Sequence, residues 1–175
     1  MKTYTDFLQS KKISSQPSGF SVNESEIPDP LFPFQKKVVS WALQRGKAAI
    51  FADCGLGKTL MQVAWADKVA KETEKPILIL APLAVSSQTI REGEKIGVTI
   101  QSLREKKSIQ TGIGITNYEQ LHTLDPDMFS GVVLDESSIL KFFMGKTRTE
   151  IIERFQKTPY KLACTATPAP NDFTE

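Results

Sequence analysis

The sequence predicts an α/β domain, with a mostly parallel sheet covered by helices on both faces in a three-layer sandwich. Three observations predict it. Short apolar runs alternate along the chain with segments of helical periodicity, the pattern of strands joined by helical crossovers. One run, Pro76-Ile77-Leu78-Ile79-Leu80-Ala81, is apolar throughout and flanked by prolines, as a strand buried on both faces should be. A glycine-rich turn, Ala52-Asp53-Cys54-Gly55-Leu56-Gly57-Lys58-Thr59, joins an apolar run to a helical one.

Composition agrees with this class. The 175 residues suit one domain, and 40% hydrophobic with 24% charged residues excludes collagen-like, low-complexity and wholly disordered chains. Two cysteines are too few for a disulfide framework and fit a reducing compartment. A single histidine argues against a His-based metal site or a Ser/His triad. No apolar run reaches the ~18–20 residues of a membrane span, and the first residues lack the apolar stretch of a signal peptide. The expectation is a cytoplasmic protein with no membrane contact. A net charge of +2 is too small to argue for nucleic acid by itself.

The elements follow in order. Residues 1–33 read as an arm or lead-in, with one short helix around Tyr4–Ser10, because Pro28, Pro30 and Pro33 cannot sit inside a helix or central strand. Phe34, Val38, Trp41 and Ala42 recur at helical spacing, so 34–44 is an amphipathic helix stopping near Gly46. Ala48–Ala52 is a strand and Leu60–Ala70 a helix. Pro76–Ala81 is a buried strand, and a helix covers 83–95. Strands are expected near Val98–Leu103 and Gly112–Thr116, and a short helix over Asn117–Thr123. Gly131–Asp135 is a further buried strand, Thr147–Gln156 a helix and Tyr160–Thr165 a last strand. Trp41 and Trp65 are expected in the core and His122 in a structural role. Arg104-Glu105-Lys106-Lys107 reads as a solvated loop.

Two motifs carry chemistry. The turn over residues 52–59 has the strand-to-helix setting that a phosphate-binding loop requires. Gly55 and Gly57 allow backbone N–H groups to turn inward around phosphate oxygens, and the following helix aims its positive end at the same place. Lys58 can reach the β- and γ-phosphates, and Thr59 can offer its hydroxyl to Mg²⁺. The nucleotide-binding set is Asp53, Cys54, Gly55, Leu56, Gly57, Lys58 and Thr59. The second motif, Asp135-Glu136, follows a buried strand, at the sheet edge where open α/β folds bind ligands. Asp135 can hold Mg²⁺ through its water shell, and Glu136 can orient and polarise attacking water. Lys58, Asp135 and Glu136 are the expected catalytic residues, with Thr59 and Asp135 on the metal. Together the motifs make a nucleoside triphosphatase site.

From about Phe34 to Phe173 the chain resembles the superfamily 2 helicases, most closely their SNF2-like branch, including helicase-like proteins carried by phages. Phe34-Gln35 is similar to the motif that reads adenine, and a Gln amide, which both donates and accepts, can match the adenine N6/N7 edge. Leu80-Ala81-Pro82-Leu83-Ala84-Val85-Ser86 is similar to motif Ia and Ile115-Thr116-Asn117-Tyr118-Glu119 to motif Ib, which touch the nucleic-acid backbone. Thr165-Ala166-Thr167-Pro168 resembles motif III, which couples nucleotide state to nucleic-acid grip. The resemblance implies a RecA-like P-loop NTPase fold for residues 34–175, with ATP and Mg²⁺ as cofactors. It implies an ATP-dependent translocase or helicase parent in a bacterial or phage-infected cell. Nucleic acid, DNA before RNA, would be held through its backbone, with Pro82, Ser86, Asn117, Thr165 and Thr167 as contact or coupling residues. It also implies a second RecA-like lobe with an arginine finger, absent from this chain. An isolated lobe should then bind ATP with little turnover.

Two departures stand out. Ala52 replaces the first glycine of the strict phosphate-loop pattern. Asp135-Glu136-Ser137-Ser138 stands where the family often has Asp-Glu-Ala-His or Asp-Glu-Ala-Asp, so Ser138 replaces a residue that helps couple motif II to motif III. Two other readings compete: a P-loop phosphotransferase or NTPase acting on a small molecule, and a nucleotide-binding module without catalysis. The first leaves Asp-Glu-Ser-Ser and Thr-Ala-Thr-Pro unexplained.

Overall fold

The computed structural model describes residues 16–104, 108–138 and 146–168. The short helix expected around Tyr4–Ser10 lies outside them, as does most of the Arg104–Lys107 loop. The helices are α1 (Pro33–Arg45), α2 (Lys58–Thr73), α3 (Leu83–Lys95) and α4 (Lys146–Arg154). The strands are β1 (Lys47–Phe51), β2 (Ile77–Leu80), β3 (Ile100–Ser102), β4 (Ile113–Thr116), β5 (Gly131–Leu134) and β6 (Tyr160–Thr165). The short helix expected over 117–123 is a 3-10 helix, Tyr118–Thr123, and two further 3-10 turns occur at Glu24–Glu26 and Pro126–Met128.

The strands form one sheet in the order β1-β6-β5-β2-β4-β3, and every pairing is parallel. A parallel sheet must have both faces covered, and β2 and β4 meet this demand throughout: all four residues of each are buried. Ile77 and Ile79 pack on one face with Val39, Met61 and Trp65, whereas Leu78 and Leu80 pack on the other with Tyr118, Phe129, Ile151 and Phe155. Helix α2 lies between α1, α3 and the sheet, with contacts to β5 and β6. It is therefore buried around most of its circumference, from Met61 through Ala66 and at Val69.

The lead-in packs onto the domain from its first described residues. Ser18, Gly19 and Phe20 donate their N–H groups to the carbonyls of Arg45, Gln44 and Leu43 at the C-terminal end of α1, where helical acceptors run short of partners. A Cβ on Gly19 would lie 1.8 Å from Leu43 O, so only glycine permits this approach. Ile27 and Leu31 enter the core.

Helix α1 carries a correction. Its buried stripe is Gln35, Val39, Ala42 and Leu43, and Phe34 and Trp41 are each 47% exposed. Trp41 is not core, whereas Trp65 is fully buried. Periodicity specifies a helix but not its rotation. The packed side carries small Ala42, which allows close approach to α2, and it carries Gln35, whose amide has a partner there.

Candidate nucleotide site at the sheet edge

Parallel strands deliver their C-terminal ends to one edge of the sheet. Residues 52–57 leave β1 there, Asp135 follows β5, and Thr165 ends β6 between them. The ladder runs into the site itself: Ala52 N–H donates to Thr165 O, and Asp135 N–H to Leu80 O.

The phosphate loop is built from backbone. Gly55 and Gly57 have φ of +81° and +74°, values that favour glycine. Asp53 Oδ1 accepts the Cys54 N–H at 2.7 Å. Gly57 precedes α2 and brings no side-chain cap, so the first N–H groups of that helix stay available to an anion. The Lys58 ammonium turns back onto the loop, donating to Ala52 O at 2.7 Å and Asp53 O at 3.0 Å. These are neutral acceptors, which a phosphate oxygen can displace with a stronger charge-assisted bond. The cavity beside the loop, about 240 Å³, is lined by Gly55, Gly57, Lys58, Thr59 and Leu60. Gln88 and Glu92 of α3 close its wall, and no sequence motif points to either.

Gln35 reaches this loop from α1. Its Oε1 accepts the Phe32 N–H at 2.7 Å, and its Nε2 donates to Leu56 O at 2.9 Å. The side chain is 2% exposed. It therefore braces the loop, a role that no feature of the sequence signals. Gly57 makes room for it, since a Cβ there would meet Gln35 Nε2 at 2.3 Å.

At the end of β5, Asp135 is held from three sides. Oδ1 accepts Gln62 Nε2 at 2.7 Å and the Glu136 N–H at 3.0 Å. Tyr118 Oη donates to the Asp135 carbonyl at 2.6 Å. Burial pushes the Asp135 carboxyl above its ordinary range and the Glu136 charge adds to this. The Gln62 and Glu136 hydrogen bonds and the Lys58 charge pull it back. Among the described residues the Thr59 hydroxyl makes no hydrogen bond. Hydroxyl and carboxylate oxygens are the hard donors that suit Mg²⁺, so this pair fits that ion. Gln62 has a legible signal: it sits four residues after Lys58, on the helical face of the loop's own lysine.

Glu136 adopts φ +50°, a costly conformation for a non-glycine residue. Its Oε1 accepts two hydroxyls, Ser138 Oγ and Thr165 Oγ1, both at 2.7 Å. Thr167 completes a ring, with its N–H on Thr165 Oγ1 at 3.1 Å and its Oγ1 on Ser138 Oγ at 3.3 Å. Ser138 thus still links the segments resembling motifs II and III, through a hydroxyl.

The expected nucleic-acid contacts are not all open to a ligand. Thr167 is exposed, and Pro82, just before α3, and Ser86, in the first turn of α3, are half-buried. Asn117 and Thr165 are buried. Asn117 Nδ2 is held by Glu119 at 2.6 Å, and its Oδ1 has no partner. Cys54 is exposed on the loop, and Cys164 is buried, its thiol pushed up to about 12 chiefly by burial. Exposed His122 bonds the Glu119 carbonyl of its own turn.

Comparison with known proteins agrees with this fold. The family described as "Type III restriction enzyme, res subunit" matches residues 29–170. A Bos taurus relative, the SWI/SNF-related matrix-associated actin-dependent regulator of chromatin subfamily A-like protein 1, is 27% identical over 80% of this chain. The chain spans only 17% of that relative. Among solved structures, the Sulfolobus solfataricus SWI2/SNF2 ATPase core in complex with dsDNA superposes with a TM-score of 0.70 at 25% identity. That match covers 87% of this chain and 35% of the other. The UvsW helicase of bacteriophage T4 shares the fold, with a TM-score of 0.67 at 17% identity over 94% of this chain and 60% of its own. The chain belongs to the type III restriction enzyme res-subunit family, and its parallel α/β fold is similar to those of the SWI2/SNF2 ATPase core and the UvsW helicase.

Proposed function

We propose that this lobe binds ATP with Mg²⁺ for a DNA translocase or helicase, in the cytoplasm of a bacterial or phage-infected cell, and that a second RecA-like lobe completes the enzyme. The observation that carries the reading is the Gln62–Asp135 bond. It fastens the helix that starts at the phosphate loop to the strand end that bears the Asp-Glu pair. A small-molecule phosphotransferase has no comparable use for the Glu136–Ser138–Thr167–Thr165 ring beside it.

Residue roles follow from the site. The loop N–H groups and Lys58 hold the β- and γ-phosphates. Thr59 and Asp135 hold the metal, which when bound neutralises charge on the phosphoryl group. Glu136 orients water once its ring of hydroxyls rearranges. Gln35, buried and engaged by Phe32 and Leu56, acts on the nucleotide through the loop that it braces. Residues 34–175 form the ATP-binding domain and 1–33 its lead-in. Pro82, Ser86 and Thr167 touch the DNA backbone, and Asn117 and Thr165 act through their neighbours; that the similar SWI2/SNF2 core is in complex with dsDNA supports DNA as the partner. Without an arginine finger, which supplies ~10³–10⁵-fold in rate where used, the isolated lobe turns ATP over near background.

Thermal unfolding tests the reading. ATP with Mg²⁺ should raise the melting temperature of the chain by mass action, and Lys58→Ala should abolish the shift. Equal responses of wild type and variant would remove the phosphate-loop assignment.

A further inference from the structure

Gln62 is fully buried on α2, four residues after Lys58. Its Nε2 donates to Asp135 Oδ1 at 2.7 Å, and its Oε1 is buried without a partner. Leaving an amide oxygen buried and unpaired is unfavourable. A methionine of the same length would fill the space without that cost, so packing alone does not account for glutamine here. Gln62 also lies beside the buried Cys164 thiol, a weak acceptor, so the strong bond that accounts for the amide is the one to the Asp135 carboxylate.

That bond has a directional consequence. Glu136 N–H donates to the same Oδ1 at 3.0 Å, and among the described residues no donor reaches Oδ2. Carboxylate rotation about χ2 is soft. Two donors converging on one oxygen set that rotation and leave the other oxygen unclaimed. A neutral amide suits this task, because a lysine or arginine would neutralise the carboxylate and a second carboxylate would repel it.

We propose that Gln62 is a positioning residue that sets the rotation of the Asp135 carboxylate, engaging Oδ1 so that Oδ2 is presented to the Mg²⁺ shell of a bound nucleotide. This rests on the reading of Asp135 as the metal-side carboxylate. Outer partners that orient a ligand are worth 10–100-fold in metal affinity where measured, so the effect falls on metal-dependent binding and not on phosphate binding as such.

The test measures the affinity of the chain for a fluorescent ATP analogue with Mg²⁺ and with EDTA, so it reads binding and not turnover. In wild type, Mg²⁺ should tighten binding. Gln62→Met should lower that gain by about ten-fold and leave the affinity in EDTA unchanged. In an Asp135→Asn background Gln62→Met should change neither value. Gln62→Leu carries the same test should the methionine variant fail to fold. An unchanged Mg²⁺ gain in a folded Gln62 variant overturns the proposal, as do equal losses with and without Mg²⁺. A wild type that binds nucleotide equally with Mg²⁺ and with EDTA, or not at all, overturns the metal-site reading itself, and this inference falls with it.

Discussion

The phosphate loop and the corner where β5 meets β6 share one sheet edge but are held in different ways. The loop is exposed and stabilised mainly from within six residues: glycines at positive φ, an Asp53 turn, and Lys58 folded onto the carbonyls of Ala52 and Asp53. The corner is more buried and stabilised by side chains far apart in sequence, with Thr165 reaching Glu136 across 29 positions and Gln62 reaching Asp135 across 73. The loop's bonds are ones a ligand can replace. The corner's bonds hold carboxylates in place for a reaction that follows. On the proposed reading the loop holds phosphate, whereas the corner holds the metal-side carboxylate and the carboxylate that orients water.

The largest expected effect separates the two regions by function. In the protein with its second lobe, Glu136→Gln should lower ATP turnover by roughly 10²-fold or more and leave nucleotide affinity as in wild type. Steady-state hydrolysis and equilibrium binding measured on the same sample check this. A loss of affinity would place part of the binding function on Glu136 itself.

A smaller effect tests how the loop is braced. Gly57→Ala meets both a positive φ and the Gln35 amide at 2.3 Å, whereas Gly55→Ala meets a positive φ and open space. The Gly57 variant should unfold with a stability loss of about 1–3 kcal/mol from strain, and the Gly55 variant should lose less. Urea unfolding of the two decides it, and equal losses would remove Gln35 as the brace.

The smallest effect lies within the corner. Thr165→Val and Ser138→Ala each delete one donor to Glu136 Oε1, for about 1 kcal/mol apiece. Thr165→Val should cost more, because buried Thr165 also accepts the Thr167 N–H. Their double variant should depart from additivity, since the residues share one acceptor.

Several features are legible in the amino-acid sequence alone. The all-apolar run around β2 announces a strand buried on both faces, and α3 lies at the predicted residues. Gly-x-Gly-Lys-Thr announces its chemistry because a phosphate loop is a local object: consecutive backbone N–H groups, their glycines and the next helix end. Asp135-Glu136 is legible for a related reason, since a carboxylate at the end of a buried strand has few other places to be. By contrast, the spacing along α1 gives the wrong rotation and places Trp41 in the core. Hydrophobic spacing cannot weigh one apolar stripe against another when the packed side also needs small Ala42 and an amide for the loop.

By itself, then, the sequence determined the succession of strands and helices along the chain, the glycine-rich loop after β1 and the Asp135-Glu136 pair after β5, because each depends on neighbours a few residues away. The tertiary structure alone decided the partners: Gln35 on Leu56, Gln62 on Asp135, Tyr118 on the Asp135 carbonyl, and the hydroxyl ring around Glu136. The physical reason is range. A buried polar atom must find a partner wherever packing brings one within about 3 Å. Which residue arrives there depends on strand order and helix rotation, which no short stretch of sequence contains.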